Sequence, residues 1–345
     1  MDPLDLAAYD YALPPDRIAQ EPTPERDGAR MLVLKRASGA LHHDAIAGLA
    51  AWLRPGDLLV RNATRVLPAR LRGTRAGGGA AEALLLGPAT LRGAWRALVR
   101  GSARLRVGAK LRFAAGAVVR AAEVAEKRAG GEVVLAFAPG EDPYAVGEAP
   151  LPPYIRREAP RGDDALRYQT LFARVPGSVA APTAGLHLSE HGLAALAARG
   201  VACADVVLHV GPGTFRPLRD EDLRRGRLHA EPYELPEATA AAIAAARLRG
   251  GRIVALGTTV ARVLETRARD NGCVDPGRGE TELLLAPGAR FRAVDALLTN
   301  FHLPRSSLLL LVAAFVGRER VLTAYAEAVR AGYRFYSYGD AMLIA

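Results

Sequence analysis

The stretch PEATAAAIAAARLRGGRIVALGTTVARVLETRAR, residues 236–269, decides the fold class of this chain. Its alanine-rich first part predicts a helix over 236–249 that ends at a pair of glycines. The apolar run RIVAL then predicts a buried strand, and Thr258 or Thr259 is placed to cap a helix that continues to about residue 269. Alternating helices and strands indicate an α/β layer with mainly parallel strands, whose ligand groups lie at the carboxyl ends of the strands.

The same alternation extends toward the N-terminus. Ser189 is placed to cap a helix that ends at Gly200, and VACADVVLHV (201–210) follows as a strand. Earlier still, MLVLKR and DLLV predict two further strands on either side of a polar turn. The longest apolar run, 308–316, is far shorter than the ~20 residues that a membrane helix requires. We therefore expect a buried strand or helix there and no membrane partner.

Between residues 66 and 149 the pattern changes. Short apolar pieces such as EALLLG, WRALV, KLRF and EVVLAF are separated by glycines, which predicts a small antiparallel sheet or barrel. The proline-rich PLPPYIRR that follows at 150–157 cannot continue a sheet, and it predicts a stiff return linker.

The positive charge of the chain is concentrated in this middle part. The formal net charge is +10, and residues 65–128 hold fourteen Arg or Lys against three Glu, a net charge of +11. One region with all the excess positive charge is typical of a surface that contacts a phosphate backbone, with a solvated arginine-rich surface as the alternative. Two cysteines and no export signal predict a cytoplasmic protein without a disulfide framework.

Five strings rich in glycine and polar residues stand beside apolar runs: AAPTAGLH (180–187), LHVGPGTF (208–215), ALGTT (255–259), LLTNFHLP (297–304) and YRFYSYGDAM (333–342). Arg216 stands where a dinucleotide fingerprint requires its third glycine, and none of the three lysines follows a glycine as in a P-loop. His187 to His191 fits a His-x-x-Glu-His zinc pattern, but Ser189 would cap the helix in the middle of it, so no metal site is predicted.

The glycines of these strings have a different use. A strand that ends in glycine and threonine lets the backbone approach a ligand and offers hydroxyl and N–H donors at a helix N-terminus. Carboxylates, ribose hydroxyls and phosphates all suit such a place, whereas a tight turn with a helix cap needs no ligand at all. Four histidines, at positions 187, 209, 229 and 302, lie in or beside these motifs. At least one of them is a reasonable general base or acid.

Taken in order, these strings resemble one family throughout the chain. NATRVLPARL (62–71), PLPPYI, RYQTLFA, AAPTAGLH, LHVGPGTF, LHAE, TNFHLP and YRFYSYGDAM resemble the S-adenosylmethionine:tRNA ribosyltransferase-isomerases of queuosine biosynthesis. The resemblance implies a discontinuous larger α/β domain, residues 1–65 and 150–345, and a smaller antiparallel β-barrel domain inserted over 66–149. The boundaries of the linker and of the basic segment agree with that division.

The resemblance also implies a reaction. S-adenosylmethionine (AdoMet) is a co-substrate that gives its ribosyl carbons to 7-aminomethyl-7-deazaguanine (preQ1) at the wobble position of a tRNA with a GUN anticodon. The products are epoxyqueuosine-tRNA, adenine and methionine, and no true cofactor or metal is expected. Because a sulfonium acidifies the neighbouring 5′ carbon, a base is needed there, together with an acid for adenine and a pocket that excludes water.

Carried onto this sequence, the resemblance and the motifs give a set of candidate residues. The base is His209 or His302, with Glu231 or Asp340 as acid or orienting partner. Substrate contacts are expected from Pro182, Thr183, Ala184, Gly185, His187, Gly211, Gly213, Thr214, His229, Thr258, Thr259, Arg262, Asn300 and Tyr338. Contacts with tRNA are expected from Arg65, Arg70, Arg100, Arg104 and Arg106.

Two other classes of function remain open at this stage. A non-catalytic RNA-binding protein would bind tRNA through the basic segment without releasing adenine. An AdoMet-dependent RNA methyltransferase would form S-adenosylhomocysteine, but the glycine-rich loop expected after an early strand is absent from the sequence.

Overall fold

The computed structural model describes residues 4–157, 161–215, 218 and 220–345, without the side chains of Thr214, Phe215 and Asp220. The strands are β1 (Arg30–Leu34), β2 (Leu41–Ala45), β3 (Leu58–Asn62), β4 (Thr64–Val66), β5 (Arg70–Arg75), β6 (Ala80–Pro88), β7 (Ala94–Val99), β8 (Lys110–Ala115), β9 (Val118–Lys127), β10 (Glu132–Phe137), β11 (Gly147–Glu148), β12 (Val175–Ser178), β13 (Ala202–Leu208), β14 (Arg227–Leu235), β15 (Ile253–Leu256), β16 (Gly277–Leu283), β17 (Ala296–Asn300) and β18 (Ala341–Ile344). The helices are α1 (Leu49–Trp52), α2 (Asp164–Arg167), α3 (Glu190–Ala198), α4 (Asp220–Arg225), α5 (Glu237–Leu248), α6 (Thr258–Thr266), α7 (Ser307–Val316) and α8 (Arg318–Arg330).

Nine strands form a large mixed sheet in the order β16-β14-β13-β3-β15-β17-β18-β1-β2. Its centre is parallel, because β13 and β15 flank β3 in parallel and β17 continues beside β15. Toward the two edges the pairing becomes antiparallel at β13–β14, β14–β16, β17–β18 and β1–β2. The predicted α/β layer with mainly parallel strands is confirmed for this centre.

Both faces of the parallel strands are buried, as the apolar runs of the sequence require. In β15, Ile253 and Ala255 belong to the core beneath α5, α6, α7 and α8, whereas Val254 and Leu256 belong to the core beneath α1 and α3. Successive residues of a strand point to opposite faces, so a four-residue apolar strand supplies both cores.

The second sheet is a closed antiparallel barrel. Its strands follow the order β11-β5-β6-β7-β10-β9-β8, and a further pairing of β5 with β8 closes a ring of six, which confirms the predicted antiparallel barrel. The barrel has its own apolar core, which includes Leu71, Phe113, Val124 and Leu135. Gly73 allows closure, since a Cβ at this position would lie 1.9 Å from the carbonyl oxygen of Arg112.

One of the two predicted helix caps is present in the structure. Ser189 is confirmed as the cap of α3, because its side chain accepts a hydrogen bond from the N–H of Gly192. The expectation that Thr258 or Thr259 caps α6 is wrong: the cap residue is Gly257, and both threonines lie inside the helix. The apolar run 308–316 forms a helix, α7. Within the described part of the chain, no helix is long and apolar enough to cross a membrane.

Candidate functional site

The functional strings meet at one edge of the large sheet, which we call the carboxyl edge. The parallel strands β3, β13, β15 and β17 all end there, because they run in the same direction side by side. Strand β18 runs the opposite way beside β17 and therefore starts at this edge. Three strings thus follow strand ends, while YRFYSYGDAM leads into β18. Parallel sheets bind ligands at this edge.

A cavity of about 400 Å³ opens at the carboxyl edge, a volume in the usual range for a small-molecule site. It is lined by nine of the predicted site residues: Pro182, Thr183, Ala184, Glu231, Thr258, Thr259, Arg262, Asn300 and His302. Residues at or after the ends of β12, β15 and β17, together with Glu231 from the middle of β14, therefore share one concave surface.

His302 follows β17 and is buried at the wall of this cavity. Its Nε2 lies 2.8 Å from Oγ1 of Thr299, and its backbone N–H donates to the hydroxyl oxygen of Tyr325 at 3.0 Å. Burial lowers the pKa of His302 to about 3, so the imidazole is neutral near pH 7. Among the described residues Nδ1 has no hydrogen-bond partner. With the proton on Nε2, Nδ1 offers a lone pair to a ligand.

Glu231 lies on β14 and is fully buried, with its carboxylate paired to Arg262 of α6. Its Oε1 accepts the N–H of Gly211 at 2.9 Å and lies 3.4 Å from Nε2 of His229. Burial by itself would raise the pKa of Glu231, but the hydrogen bond from His229 and the positive charge of Arg262 outweigh it, so the pKa is lowered. The group is therefore a carboxylate at neutral pH and is unsuited to donate a proton.

Arg262 is held in place by three acceptors. Besides its pairing with Glu231, its Nε donates to the carbonyl of Leu283 at 3.1 Å, and its Nη2 donates to the carbonyl of Thr281 at 3.2 Å. Because Leu283 and Thr281 belong to β16, the guanidinium joins β14, β16 and α6 at the cavity. A buried cation that has both a counter-charge and filled hydrogen bonds is a stable part of the wall.

His209, the other candidate base, lies just beyond β13 and outside the residues that line the cavity. Its Nδ1 is 2.8 Å from Oγ1 of Thr64, and burial lowers its pKa. Its ring rests against Gly177, where a Cβ would be 2.6 Å from Cε1 of the imidazole and where φ is +151°. Asn62 fixes the adjoining strand ends, accepting the N–H of Leu208 and donating to its carbonyl, both at 3.0 Å.

Asp340 is buried and also lies outside the cavity lining. Its two carboxylate oxygens accept the backbone N–H groups of Arg30 at 2.9 Å and of Arg334 at 2.8 Å. Asp340 therefore fixes the loop before β18 to the first residue of β1. Tyr338 is buried beside Tyr168, with the two rings 6.0 Å apart and nearly perpendicular.

His187 and Gly185 lie behind the wall that Pro182 to Ala184 present to the cavity. Nδ2 of Asn300 donates to Nε2 of His187 at 3.1 Å, and burial lowers the pKa of this histidine to about 4. A Cβ at Gly185 would lie 2.7 Å from the ring of Phe172, so glycine is needed there for packing. Among the described residues, no group of histidines, cysteines and carboxylates could hold a metal ion.

The glycines after β13 make room for His229. A Cβ at Gly213 would come within 2.3 Å of Nδ1 of His229, and one at Gly211 would lie 3.8 Å from the same ring. His229 is partly exposed and contacts Glu231, so it connects this turn with the buried ion pair. The side chain of Thr214 lies outside the described part of the structure.

The structure adds cavity residues that the sequence reasoning missed. Within the described residues, Arg305 and Tyr336 are the non-glycine positions with positive φ, at +56° and +72°, and both line the cavity. Such backbone strain is concentrated at functional sites. Tyr154 and Tyr336 form one wall, with ring centroids 4.2 Å apart. Tyr336 stands inside the YRFYSYGDAM string and Tyr154 inside PLPPYI, so both belong to motifs that the sequence shows.

The candidate RNA contacts fall into two groups. Arg70 is paired with Glu82 at 2.6 Å, and Arg100 lies 3.9 Å from the same carboxylate. Arg65, Arg104 and Arg106 are exposed, and none of the described carboxylates forms an ion pair with them. The latter group remains available for phosphate.

Comparisons with known proteins all indicate the same family. The model of the family described as "Queuosine biosynthesis protein" matches residues 6–344. A protein of Anaeromyxobacter dehalogenans named S-adenosylmethionine:tRNA ribosyltransferase-isomerase is 54% identical, over 98% of this chain and 99% of its own length. One of the same name from Gloeobacter violaceus is 52% identical, over 98% and 95%. The crystal structure of S-adenosylmethionine tRNA ribosyltransferase from Thermotoga maritima is 36% identical, with a TM-score of 0.57, over 98% of this chain and all of that one.

Proposed function

The chain belongs to the queuosine biosynthesis protein family, and on that basis we propose that it is an AdoMet-dependent tRNA ribosyltransferase-isomerase. It transfers the ribosyl group of AdoMet to 7-aminomethyl-7-deazaguanine at the wobble position of a tRNA with a GUN anticodon. The products are epoxyqueuosine-tRNA, adenine and methionine. AdoMet is consumed as a substrate, and the cytoplasm remains the expected compartment.

The observation that carries this proposal is the cavity at the carboxyl edge, where a neutral imidazole with an open nitrogen stands among buried polar groups. Its apolar and aromatic lining, which includes Phe301, Tyr154 and Tyr336, suits a nucleoside. The enclosure also keeps water away from a reactive sulfonium intermediate.

We assign His302 as the base because, of the two candidate histidines, it is the one that lines the cavity. It would take the proton from the 5′ carbon of AdoMet, next to the sulfonium. A pKa of about 3 means that burial keeps the imidazole of His302 neutral. Protonation of this imidazole is costly when it adds a net positive charge to the cavity. In this step the electron pair of the broken C–H bond stays on the 5′ carbon while the proton passes to the imidazole, so an ylide of zero net charge forms beside an imidazolium. The net charge of the cavity is unchanged, and the attraction between the carbanion and the imidazolium offsets part of the cost of protonating a buried imidazole.

Glu231 serves in this proposal as an electrostatic and positioning group. Its carboxylate stays ionised beside Arg262, and it also holds the turn after β13 through the N–H of Gly211. Asp340 positions the start of β1 in the same way, through two backbone N–H groups. His209 supports the neighbouring strand ends through Thr64.

The tRNA is held by the barrel in this proposal. Its exposed Arg104 and Arg106, together with Arg65 at the entrance to the barrel, lie on the segment of net charge +11. A positive surface of this kind attracts a phosphate backbone irrespective of sequence, and binding then weakens steeply with added salt. Recognition of the deazaguanine base belongs to the cavity.

The test is direct. The purified chain is incubated with AdoMet and with tRNA that carries 7-aminomethyl-7-deazaguanine, and adenine, methionine and the modified nucleoside are measured by mass spectrometry. We expect adenine and the epoxy-cyclopentanediol adduct in equal amounts. Formation of S-adenosylhomocysteine would identify a methyltransferase instead, and tRNA binding without release of adenine would identify a non-catalytic RNA-binding protein.

A further inference from the structure

Helix α6 starts at the cavity without a side-chain cap. Its cap residue, Gly257, has φ +94° and ψ 158°, a conformation that favours glycine, and no described side chain accepts from the N–H groups of the first turn. Helix α7 also starts at the cavity, but it has a side-chain cap, because Oγ of Ser306 accepts the N–H of Leu309. The N–H groups of Thr258 and Thr259 have no acceptor among the described residues.

Two buried side chains beside this helix end each have a polar atom without a partner among the described residues. Thr258 is 6% exposed and lines the cavity, and its hydroxyl makes no hydrogen bond to any described residue. Asn300 is 2% exposed, and its Oδ1 has no partner in the described part of the chain, whereas its Nδ2 donates to the carbonyl of Tyr336 at 2.9 Å. That carbonyl can only accept, which fixes the orientation of the amide and makes the free atom an acceptor.

These groups are close because their strands are neighbours. Strand β15 pairs with β17 in parallel, with Leu256 opposite Leu298, so Thr258 and Asn300 both stand two residues beyond this last pair. The N–H of Gly257 donates to the carbonyl of Leu298 at 2.8 Å and ties the two ends together. Donors and an acceptor that have no partners among the described residues thus follow neighbouring strand ends in a buried place. An unfilled buried polar group is costly, so their arrangement indicates a ligand.

We propose that this helix end binds the amino-acid group of AdoMet, an inference that rests on the proposed function. The carboxylate accepts from the N–H groups of Thr258 and Thr259 and from the hydroxyl of Thr258. The ammonium donates to Oδ1 of Asn300. A helix N-terminus carries partial positive charge, which favours the carboxylate and keeps the sulfonium at a distance, toward His302.

A phosphate of the tRNA backbone is the other anion that such donors could bind. It fits less well, because Thr258 is nearly inaccessible and because an acceptor, Asn300 Oδ1, stands next to the donors. Phosphate has no hydrogen to give to that acceptor, whereas an α-amino acid presents an ammonium beside its carboxylate.

Decarboxylated AdoMet tests the inference, because it lacks only the carboxylate. We expect calorimetry without tRNA to show that Thr258→Val weakens AdoMet binding about tenfold, the value of one hydrogen bond to a charged group, and changes binding of decarboxylated AdoMet by less than about twofold. Thr258→Ser, which keeps the hydroxyl, should restore most of the affinity for AdoMet. Thr323→Val, an exposed position on α8, is the matched control. Thermal unfolding of each variant shows whether the fold is retained.

Equal weakening of both ligands by Thr258→Val, or no weakening of either, would overturn the assignment. Weaker binding of tRNA by this variant in the absence of AdoMet would assign the helix end to a phosphate and would also overturn it. If the wild type releases adenine but does not distinguish the two ligands, this inference fails while the proposed function stands. If it binds neither ligand and releases no adenine, the proposed function fails as well.

Discussion

The cavity at the carboxyl edge and the surface of the barrel differ in whether their charged side chains are buried and paired. In the cavity wall Glu231 and Arg262 are buried and compensate each other, and the buried imidazoles of His302 and of His187 behind the wall are neutral. On the barrel, Arg104 and Arg106 are exposed and have no counter-charge among the described residues. An unpaired charge costs several kcal/mol when buried and little in water.

This difference separates two tasks. A reaction that passes through a sulfonium and an imidazolium needs a dry place where the charge balance is set in advance. Holding a large polyanion needs only many exposed cations, and their field reaches about 8 Å at physiological salt. Four measurements test this separation, from the largest expected effect to the smallest.

His302→Ala removes the proposed base from the cavity. We expect the rate of adenine release to fall by about 10²- to 10⁴-fold, the usual contribution of a positioned general base, with tRNA affinity unchanged. Single-turnover release of adenine measures the effect, and filter binding of tRNA is the control. His209→Ala, outside the cavity lining, should cost much less. A larger loss for His209→Ala than for His302→Ala would reverse the assignment.

Glu231→Ala leaves the guanidinium of Arg262 buried without its counter-charge. We expect the free energy of unfolding to fall by about 3–5 kcal/mol, measured by urea denaturation. The matched control is Glu234→Ala on the same strand, because Glu234 pairs with the exposed Arg278 of β16. That surface pair is worth less than about 1 kcal/mol. Similar losses in the two variants would show that the buried pair has no special role in the wall.

The buried histidines make stability depend on pH. His187 and His302 have pKa values lowered to about 4 and about 3, against 6.5 in the unfolded chain, so the unfolded state binds more protons below pH 6.5. The free energy of unfolding should therefore fall as the pH is lowered from about 6.5 to 4, by up to about 1.4 kcal/mol per pH unit for each histidine. His187→Gln should reduce this slope. If neither His187→Gln nor His302→Ala changed this dependence of the unfolding free energy on pH, the two histidines would not be neutral and buried.

Arg104→Ala combined with Arg106→Ala changes only the barrel. We expect the slope of log affinity for tRNA against log salt to decrease by about one for each arginine lost, with the rate of adenine release at saturating tRNA unchanged. The control is Arg54→Ala with Arg249→Ala, two exposed positions near the opposite edge of the large sheet. An equal change in the control would mean that total charge, and not the barrel, determines tRNA binding.

Much of the fold was predictable because local patterns and tertiary structure agree. The alanine-rich run before RIVAL forms α5, and the strand is buried on both faces, as its uninterrupted apolar sequence predicts. Other strands were missed, and β5 and β2 are two whose composition conceals them. In β5, RLRGTR carries three arginines on a barrel strand, and in β2, LHHDA lies at the sheet edge with little apolar content. A strand with one solvated face can be largely polar.

The site was only partly predictable. The sequence by itself determined that glycine, threonine and histidine follow apolar strands. Because the strand ends of an α/β layer share one edge, the motifs that lie near the site could be predicted from it. Which side chains face a common cavity was decided by the tertiary structure alone. His209 and His302 look alike in the sequence, yet only His302 lines the cavity.

The physical reason is that direction and burial depend on contacts distant in the chain. His302 is placed by Tyr11 and Tyr325, Glu231 by Arg262, and Asp340 is occupied by the backbone of Arg30. Local sequence specifies the hydrogen bonds within a strand or helix, whereas these partners meet only after the sheet is assembled. The sequence therefore determines which residue types follow the strands, whereas the role of each residue depends on the neighbours that the fold gives it.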